Sequence, residues 1–181
     1  MSQERDPRCK APAKLVPPSP LPHVSRRALA RVKDWLPPPQ TCHYCSGPVV
    51  LVANSEVYGG RSFGDWPYVY LCRFCSAYVG LHPDTDLPLG FIADDVTREA
   101  RKEAKRAFQR MTIMLFSHYK RDARERAYDW LSFAMGIPRH ETHFGWFDFE
   151  RCEKAREVCG DAMADGVAHC WDKIKHLTVR R

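Results

Sequence analysis

The sequence predicts an α+β fold: a small three-stranded ribbon packed against a bundle of about four helices, with a flexible N-terminal arm. Three observations predict it. Two Cys-x-x-Cys pairs and short β-branched runs fall within residues 42–93. From residue 94 onward, apolar residues recur at helical spacing. Nine of the 14 prolines lie within residues 1–41, where they favour an extended path that lacks backbone donors. The expected organisation is therefore an arm at 1–41, a ribbon at 42–93 and a helical region at 94–181, the last two packed as one unit.

Within the arm, Ser25 is positioned to cap a short helix from Arg26 to Leu36, with Leu29, Val32 and Leu36 on one face. Arg26, Arg27, Arg31 and Lys33 make that helix basic. Two readings stand side by side: a solvated tail that partly docks on the body, and a proline-flanked arm that orders on a partner.

The ribbon's strands are expected at Val49–Ala53, Tyr68–Leu71 and Ala77–Leu81, with Gly59, Gly60, Gly64 and Pro67 turning the chain between the first two. In the helical region, Asp94 or Asp95 caps a helix whose inner face is Val96, Ala100, Ala104, Ala107, Phe108, Met111 and Leu115. A break is expected near His118–Arg121. Asp122 and Glu125 form a capping-box pattern for the next helix, which Gly136 and Pro138 end. Asp148 caps a third helix to about Cys159, and a last one runs from Ala162 to His176.

Cys42-His-Tyr-Cys45 and Cys72-Arg-Phe-Cys75 carry the strongest chemical signal, with 26 residues between the pairs. Each pair can form a tight knuckle that points both sulfurs at one ion, and four thiolates in a tetrahedron suit Zn2+. One structural zinc held by Cys42, Cys45, Cys72 and Cys75 is expected. His43 and His82 are the alternative ligands. A redox Cys-x-x-Cys is disfavoured, because it needs a single pair at a helix N-terminus.

Other ligand-like residues form no recognisable set. His140-Glu141-Thr-His143 spaces its histidines three apart and follows Pro138, whereas a zincin helix needs four. His143 is expected to pack on Trp146 and Phe147. Cys152 and Cys159 share a helix face and, with His169 and Cys170, are candidates for a second ion, although small buried residues are commoner at such spacing. Residues 46–71 contain no histidine, so an HNH-type nuclease lacks its base. The deaminase His-x-Glu, the P-loop and the dinucleotide fingerprint are also missing. Leu131–Ile137 resembles a helix-turn-helix turn, but His140–Trp146 does not follow it as a recognition helix.

The formal net charge is +6 and it is segregated. Residues 1–41 carry 8 Lys/Arg against 3 Asp/Glu, and residues 94–126 carry 10 against 6, while the rest is near neutral. Arg98, Lys102, Arg106 and Arg110 recur every four residues, a stripe that can follow phosphates. Glu99 and Glu103 interleave, so an ordinary solvated face is the competing reading. Tyr58, Trp66, Tyr68 and Tyr70 can stack on bases or cover the ribbon core. No apolar run approaches the roughly 20 residues that span a bilayer, and the N-terminus has no secretory h-region. A cytoplasmic address is expected, which makes the 8 cysteines ligands, reactive thiols or core residues rather than staples.

Several motifs occur together: Cys42-x-x-Cys45-Ser-Gly, Ser55-Glu-Val-Tyr58-Gly, Cys72-x-x-Cys75-x-Ala-Tyr78-Val-Gly80-x-His82 and Pro88-Leu-Gly90. They continue as Ala127-Tyr-x-Trp130-Leu, Gly136-Ile-Pro138, His143-Phe-Gly145-x-Phe147-Asp148 and Cys152. As a set, over about residues 42–160, they resemble the zinc-finger-containing domain family of unknown function found largely in phages and prophages. The resemblance implies a small zinc-bound phage protein, placed in the host cytoplasm if phage-encoded, and carries no reaction with it. Relatives tend to have Ala-His and then Phe-Asp where this chain has Ala104-Lys105-Arg106-Ala107-Phe108-Gln109. The arm lies outside the resemblance.

The leading expectation is a non-enzymatic binding protein for nucleic acid or a host nucleoprotein complex, acting through Arg26, Arg27, Arg31, Arg98, Lys102, Arg106 and Arg110. The alternatives are a protein-only inhibitor or adaptor of a host complex, and a metal-dependent hydrolase or nuclease using His82, His140, Glu141 or His143.

Overall fold

The structure is a computed structural model and describes residues 5–116 and 122–166. The chain divides into two compact units, Met1–Asp95 and Val96–Arg181.

The first unit is built on an antiparallel meander of β1 (Val49–Ala53), β2 (Tyr68–Cys72) and β3 (Tyr78–Gly80), in that order. Val49 pairs with Cys72, Val52 with Val69, and Leu71 with Tyr78. Side chains alternate across the pleat, so β2 splits between two small cores. Tyr70 and Cys72 pack on one face with Leu21, Cys42, Val79, Leu81 and Ile92. Val69 and Leu71 pack on the other with Val52. Four of the five β2 residues are buried, which marks a strand covered on both sides.

The arm supplies part of that cover. Leu21 joins the sheet core, while Leu29 and Val32 bury against Leu87, with Cys9, Leu15, Val24 and Trp35 around them. The docking reading therefore describes this segment. The helix α1 spans only Arg26–Leu29, capped by the Ser25 hydroxyl, rather than reaching Leu36. Asp34 takes a left-handed φ of 51°, which no helix tolerates, and this turn lets Trp35 fold back towards Leu29.

The 81–88 loop receives the arm. His82 N–H donates to the Leu87 carbonyl and the Thr85 hydroxyl to the His82 carbonyl, at 2.8 and 2.9 Å. Tyr70 Oη donates to the Asp86 carbonyl at 2.7 Å, and Ser25 N–H to the Asp84 carbonyl at 2.9 Å. Arg8 clasps the loop through Asp86, with Asp6 on its other side.

The second unit packs α2 (Asp95–Phe116), α3 (Ala123–Met135) and α4 (Phe149–Asp165) around Met111, Leu115, Trp130, Leu131, Phe147 and Cys152. The inner face of α2 is the expected one, except that Val96 is 62% exposed and Thr97 is buried. The expected break at 118–121 lies outside the described residues. Asp122 precedes α3 but makes no side-chain cap. Its φ and ψ of −92° and −5° leave it close to helical geometry, whereas a capping carboxylate needs an extended residue. Gly136 ends α3 in a left-handed turn, with its N–H and that of Ile137 closing back onto Phe133 and Ser132. Asp148 caps α4 by accepting from Arg151 N–H at 2.8 Å.

α4 does not stop at Cys159. It continues through Gly160 to Asp165, where Gly166 ends it at a φ of 82°. Cys152, Ala155, Cys159 and Ala162 form one buried stripe, and burial of that stripe outweighs the roughly 1 kcal/mol cost of an interior glycine. The remainder of the helix expected to His176 lies outside the described residues. Among the described residues, no helix is long and apolar enough to cross a membrane.

Candidate metal centre

Each Cys-x-x-Cys pair folds as a knuckle at one end of the sheet. In the first, Ser46 N–H donates to the Cys42 carbonyl at 2.8 Å and Cys42 N–H donates to the Gly47 carbonyl at 2.9 Å. The second repeats the pattern, with Ser76 N–H on the Cys72 carbonyl at 3.1 Å and Cys72 N–H on the Ala77 carbonyl at 2.8 Å. Ser46 and Ser76 close these turns at φ of 56° and 59°. Left-handed geometry costs a serine roughly 1–2 kcal/mol, and the same strain at equivalent positions shows that both turns are held from outside. Pairing of Thr41 with Pro48 and the start of β3 at Tyr78 hold them.

The turns aim backbone donors at sulfur. Tyr44 and Cys45 N–H groups reach the Cys42 sulfur and Gly47 N–H reaches Cys45. Phe74 and Cys75 N–H groups reach the Cys72 sulfur and Ala77 N–H reaches Cys75. Three donors per knuckle stabilise negative charge on its two sulfurs. Burial raises the Cys72 thiol, but the Cys75 and Phe74 N–H groups and the Cys45 and Cys75 thiols outweigh it and bring Cys72 down to about 6. Burial pushes the Cys42 thiol up, against its two N–H donors.

The knuckles bring all four sulfurs within 4.8 Å of one another. Across the two knuckles, the Cys42 sulfur lies 3.5 Å from that of Cys75 and the Cys45 sulfur 3.4 Å from that of Cys72. A tetrahedron of sulfurs about 2.3 Å from zinc has edges of about 3.8 Å, so the cage is the right size. The donor set fits one structural Zn2+, with no position open for a substrate. Cys42 and Cys72 are buried and Cys45 and Cys75 exposed, so the ion fastens the sheet edge to its core. His43, the alternative ligand, stacks on Tyr44 with ring centres 4.1 Å apart. Neither it nor His82 joins the cluster.

The knuckles also touch at a point the sequence did not announce. A Cβ on Gly47 would sit 2.7 Å from Phe74 Cδ2 and 3.0 Å from Phe74 Cβ. Gly47 is thus the gap into which the second knuckle fits. Gly47→Ala is expected to lower stability by about 1–2 kcal/mol through overpacking, and to speed zinc release to a competing chelator. Phe74→Ala in the same chain should recover part of that stability. A Gly47→Ala chain that releases zinc at the wild-type rate would show the close approach to be idle.

Among the described residues, these four cysteines form the one group of three or more His, Cys, Asp or Glu side chains able to share an ion. His140 and Glu141 lie in a short turn, where Glu141 pairs with Arg151 at 3.2 Å. His143 packs on Trp146, with ring centres 5.5 Å apart. His82 belongs to the first unit and these three to the second. Cys152 and Cys159 are buried in the helical core, and burial raises the Cys152 thiol to about 11, the state of a packed neutral side chain. His169 and Cys170 lie outside the described residues.

The cationic candidates separate as well. Arg26 donates to the carbonyls of Ala11 and Ala13 and so staples the arm. Arg27 and Arg31 are exposed on the arm. On α2, Arg98 is half-buried, Lys102 pairs with Glu99 at 2.8 Å, and Arg106 and Arg110 are exposed. Arg101 turns inward instead and donates to the Phe147 carbonyl at 2.7 Å. Of the ribbon aromatics, Tyr70 is core, while Trp66 donates from Nε1 to the Thr85 carbonyl at 2.9 Å and meets His23 and Tyr68 edge-on.

A family model described as a zinc-finger-containing domain matches residues 38–162, from just before the first knuckle to the last buried position of α4. No curated protein matches the chain, and no solved structure does. The match contains all four cage cysteines and continues in sequence through α2, α3 and most of α4: the chain belongs to the zinc-finger-containing domain family.

Proposed function

We propose that this is a zinc-stabilised binding protein without a reaction of its own, and that its ligand is nucleic acid, free or within a host nucleoprotein complex. The closed four-sulfur cage supports a structural metal, because the ion has no free coordination position for catalysis. The observation that carries the ligand class is the asymmetry of α2. Its first half mixes signs, with Asp95, Glu99 and Glu103 beside Arg98 and Lys102. After Glu103 the helix has no carboxylate, and Lys105, Arg106 and Arg110 are exposed on its outer face. The close ion pair, Lys102 with Glu99, lies in the first half, and of the later cations Arg106 also feels the Glu99 carboxylate. The second half presents fixed positive charge, the footprint of a phosphate-binding surface. Exposed Arg27 and Arg31 give the arm a second patch of the same sign.

The test is fluorescence anisotropy with labelled nucleic acid across a salt series. Affinity is expected to fall steeply with salt, and Arg106→Gln/Arg110→Gln to lower the log–log slope by about two, one for each phosphate that no longer meets a cation. Absence of binding at low salt rejects the reading. A pull-down from bacterial lysate, with and without nuclease treatment, separates free nucleic acid from a host nucleoprotein partner.

A further inference from the structure

A groove runs over the outer side of the second unit, between α2 and the start of α3. Its volume is about 410 Å3, and Lys105, Phe108, Gln109, Ile113, Arg124 and Tyr128 line it. Thr112 completes the wall, but its hydroxyl already donates to the Phe108 carbonyl at 2.7 Å. The volume is in the range of small-ligand sites.

The chemistry of the walls is specific. Phe108 and Tyr128 stand with ring centres 4.7 Å apart, and Ile113 is 70% exposed beside them. Phe108 is only 4% exposed and the Arg139 guanidinium lies 4.8 Å from the Tyr128 ring centre, so the open apolar surface on which a flat ring can rest is Ile113 with the rim of Tyr128. The Arg124 guanidinium lies 5.7 Å from the Tyr128 ring centre, so its plane belongs to the same side. Lys105 stands across the groove from α3. Among the described residues no carboxylate pairs with Lys105 or Arg124, and none lines the groove. Gln109 brings an amide with a donor and an acceptor, and no partner for it is found among the described residues.

From these walls we infer that the groove takes one unstacked nucleobase with its adjoining phosphate, so that the preferred ligand is single-stranded nucleic acid. This rests on the nucleic-acid reading and sharpens it. An apolar and aromatic side with a guanidinium suits the π-face of a base, which every base has. Gln109 can read a base edge, and two unopposed cations match one phosphate on either side. Duplex bases are stacked and cannot enter, so a duplex gains only the Arg106 and Arg110 contacts along the helix. Charge complementarity favours this occupant over an apolar peptide, which leaves both cations without a partner.

Anisotropy of the full zinc-loaded chain with labelled oligothymidylate, and with a labelled duplex of equal length, tests the inference. The single strand is expected to bind more tightly. Arg124→Gln and Lys105→Gln should each weaken it several-fold. Ile113→Asp should weaken it by roughly tenfold, by setting a carboxylate where the base stacks. Arg124→Gln and Ile113→Asp should leave duplex binding unchanged, whereas Lys105→Gln, whose ammonium also belongs to the basic face of α2, should weaken the duplex by less than it weakens the single strand. Lys105 and Ile113 face solvent, so these two variants keep the fold, which circular dichroism checks. Arg106→Gln/Arg110→Gln should weaken both probes. If neither probe binds the wild-type chain, the nucleic-acid reading falls and takes the groove with it. If both bind and only the Arg106/Arg110 variant weakens, the function stands and the groove inference is overturned. Groove variants that keep the single strand but lose a phosphotyrosyl peptide would overturn it in favour of a peptide site.

Discussion

Cys72→Ser is expected to reduce bound zinc from about one ion per chain to near zero, and to unfold the ribbon while most helical signal survives. Cys72 is the most exacting of the four positions. It is buried, sits opposite Val49 at the end of β2, and packs against Tyr70 and Val79. Serine there removes a ligand and leaves a hydroxyl in an apolar core. Structural zinc sites contribute on the order of 10–16 kcal/mol of apparent binding energy at neutral pH. Strands of five, five and three residues cannot replace that from their own packing. The core of the second unit contains none of the cage cysteines, so its helices should persist. Metal analysis with far-ultraviolet circular dichroism reads both effects, and chelation of the wild-type chain should reproduce them. Zinc retained at one per chain in Cys72→Ser would refute the cage. Two ions in the wild type would revive a second site at Cys152, Cys159 and Cys170.

The cage and the elements beside it were legible because their signals are local. The two cysteine pairs carry ligand type and spacing together. Val49–Ala53 is a run of β-branched and apolar residues, and β1 occupies those residues without change. The stripe from Ala100 to Leu115 repeats over four turns, long enough for burial to follow it. Other features depend on partners far away in sequence. Arg8 meets Asp86 across 78 residues, and nothing in a proline-rich arm marks one arginine among several as a clasp. The basic run Arg26–Arg31 reads as one surface, yet Arg26 turns back to the Ala11 and Ala13 carbonyls while Arg27 and Arg31 face solvent. The groove joins Lys105 on α2 to Arg124 on α3, and neither helix announces it alone. The third helix is expected to end at about Cys159, and only the buried stripe from Cys152 to Ala162 shows why it runs on through Gly160.

Arg8→Ala is expected to release the arm and cost about 3 kcal/mol. The Arg8 guanidinium reaches Asp86 with two N–H groups at 2.7 and 2.8 Å, and Asp6 with two more at 2.6 and 3.0 Å. Asp6 and Asp86 are 1% and 4% exposed, so removing the arginine strands two carboxylates without a cation. Stranding one buried charge costs about 3–5 kcal/mol. The low end applies here, because the Arg8 side chain is 37% exposed and water screens part of the attraction. Asp86 and then Asp6, as hydrogen-bond acceptors, raise the arginine's pKa further still. A cation with a raised pKa gives stability that is present below its ordinary range and lost only as pH climbs through the raised value. The clasp therefore holds at every pH a binding assay uses, and Arg8→Ala should be defective throughout. Arg8→Lys should recover only part, since one ammonium cannot serve two carboxylates as a planar fork does. Asp6→Asn/Arg8→Met/Asp86→Asn should recover more than Arg8→Ala does, because it leaves no buried charge unpaired. Urea unfolding gives the energies, and hydrogen exchange at Leu29 reports whether the arm has lifted. A change below about 0.5 kcal/mol in Arg8→Ala would mean the arm is held by Leu29, Val32 and Leu87 alone. Release of the arm also separates Arg27 and Arg31 from the ribbon that fixes them. If the arm patch contributes to nucleic-acid binding as a fixed surface, Arg8→Ala weakens affinity as well as stability; if it acts as a loose cation, affinity stays and only stability falls.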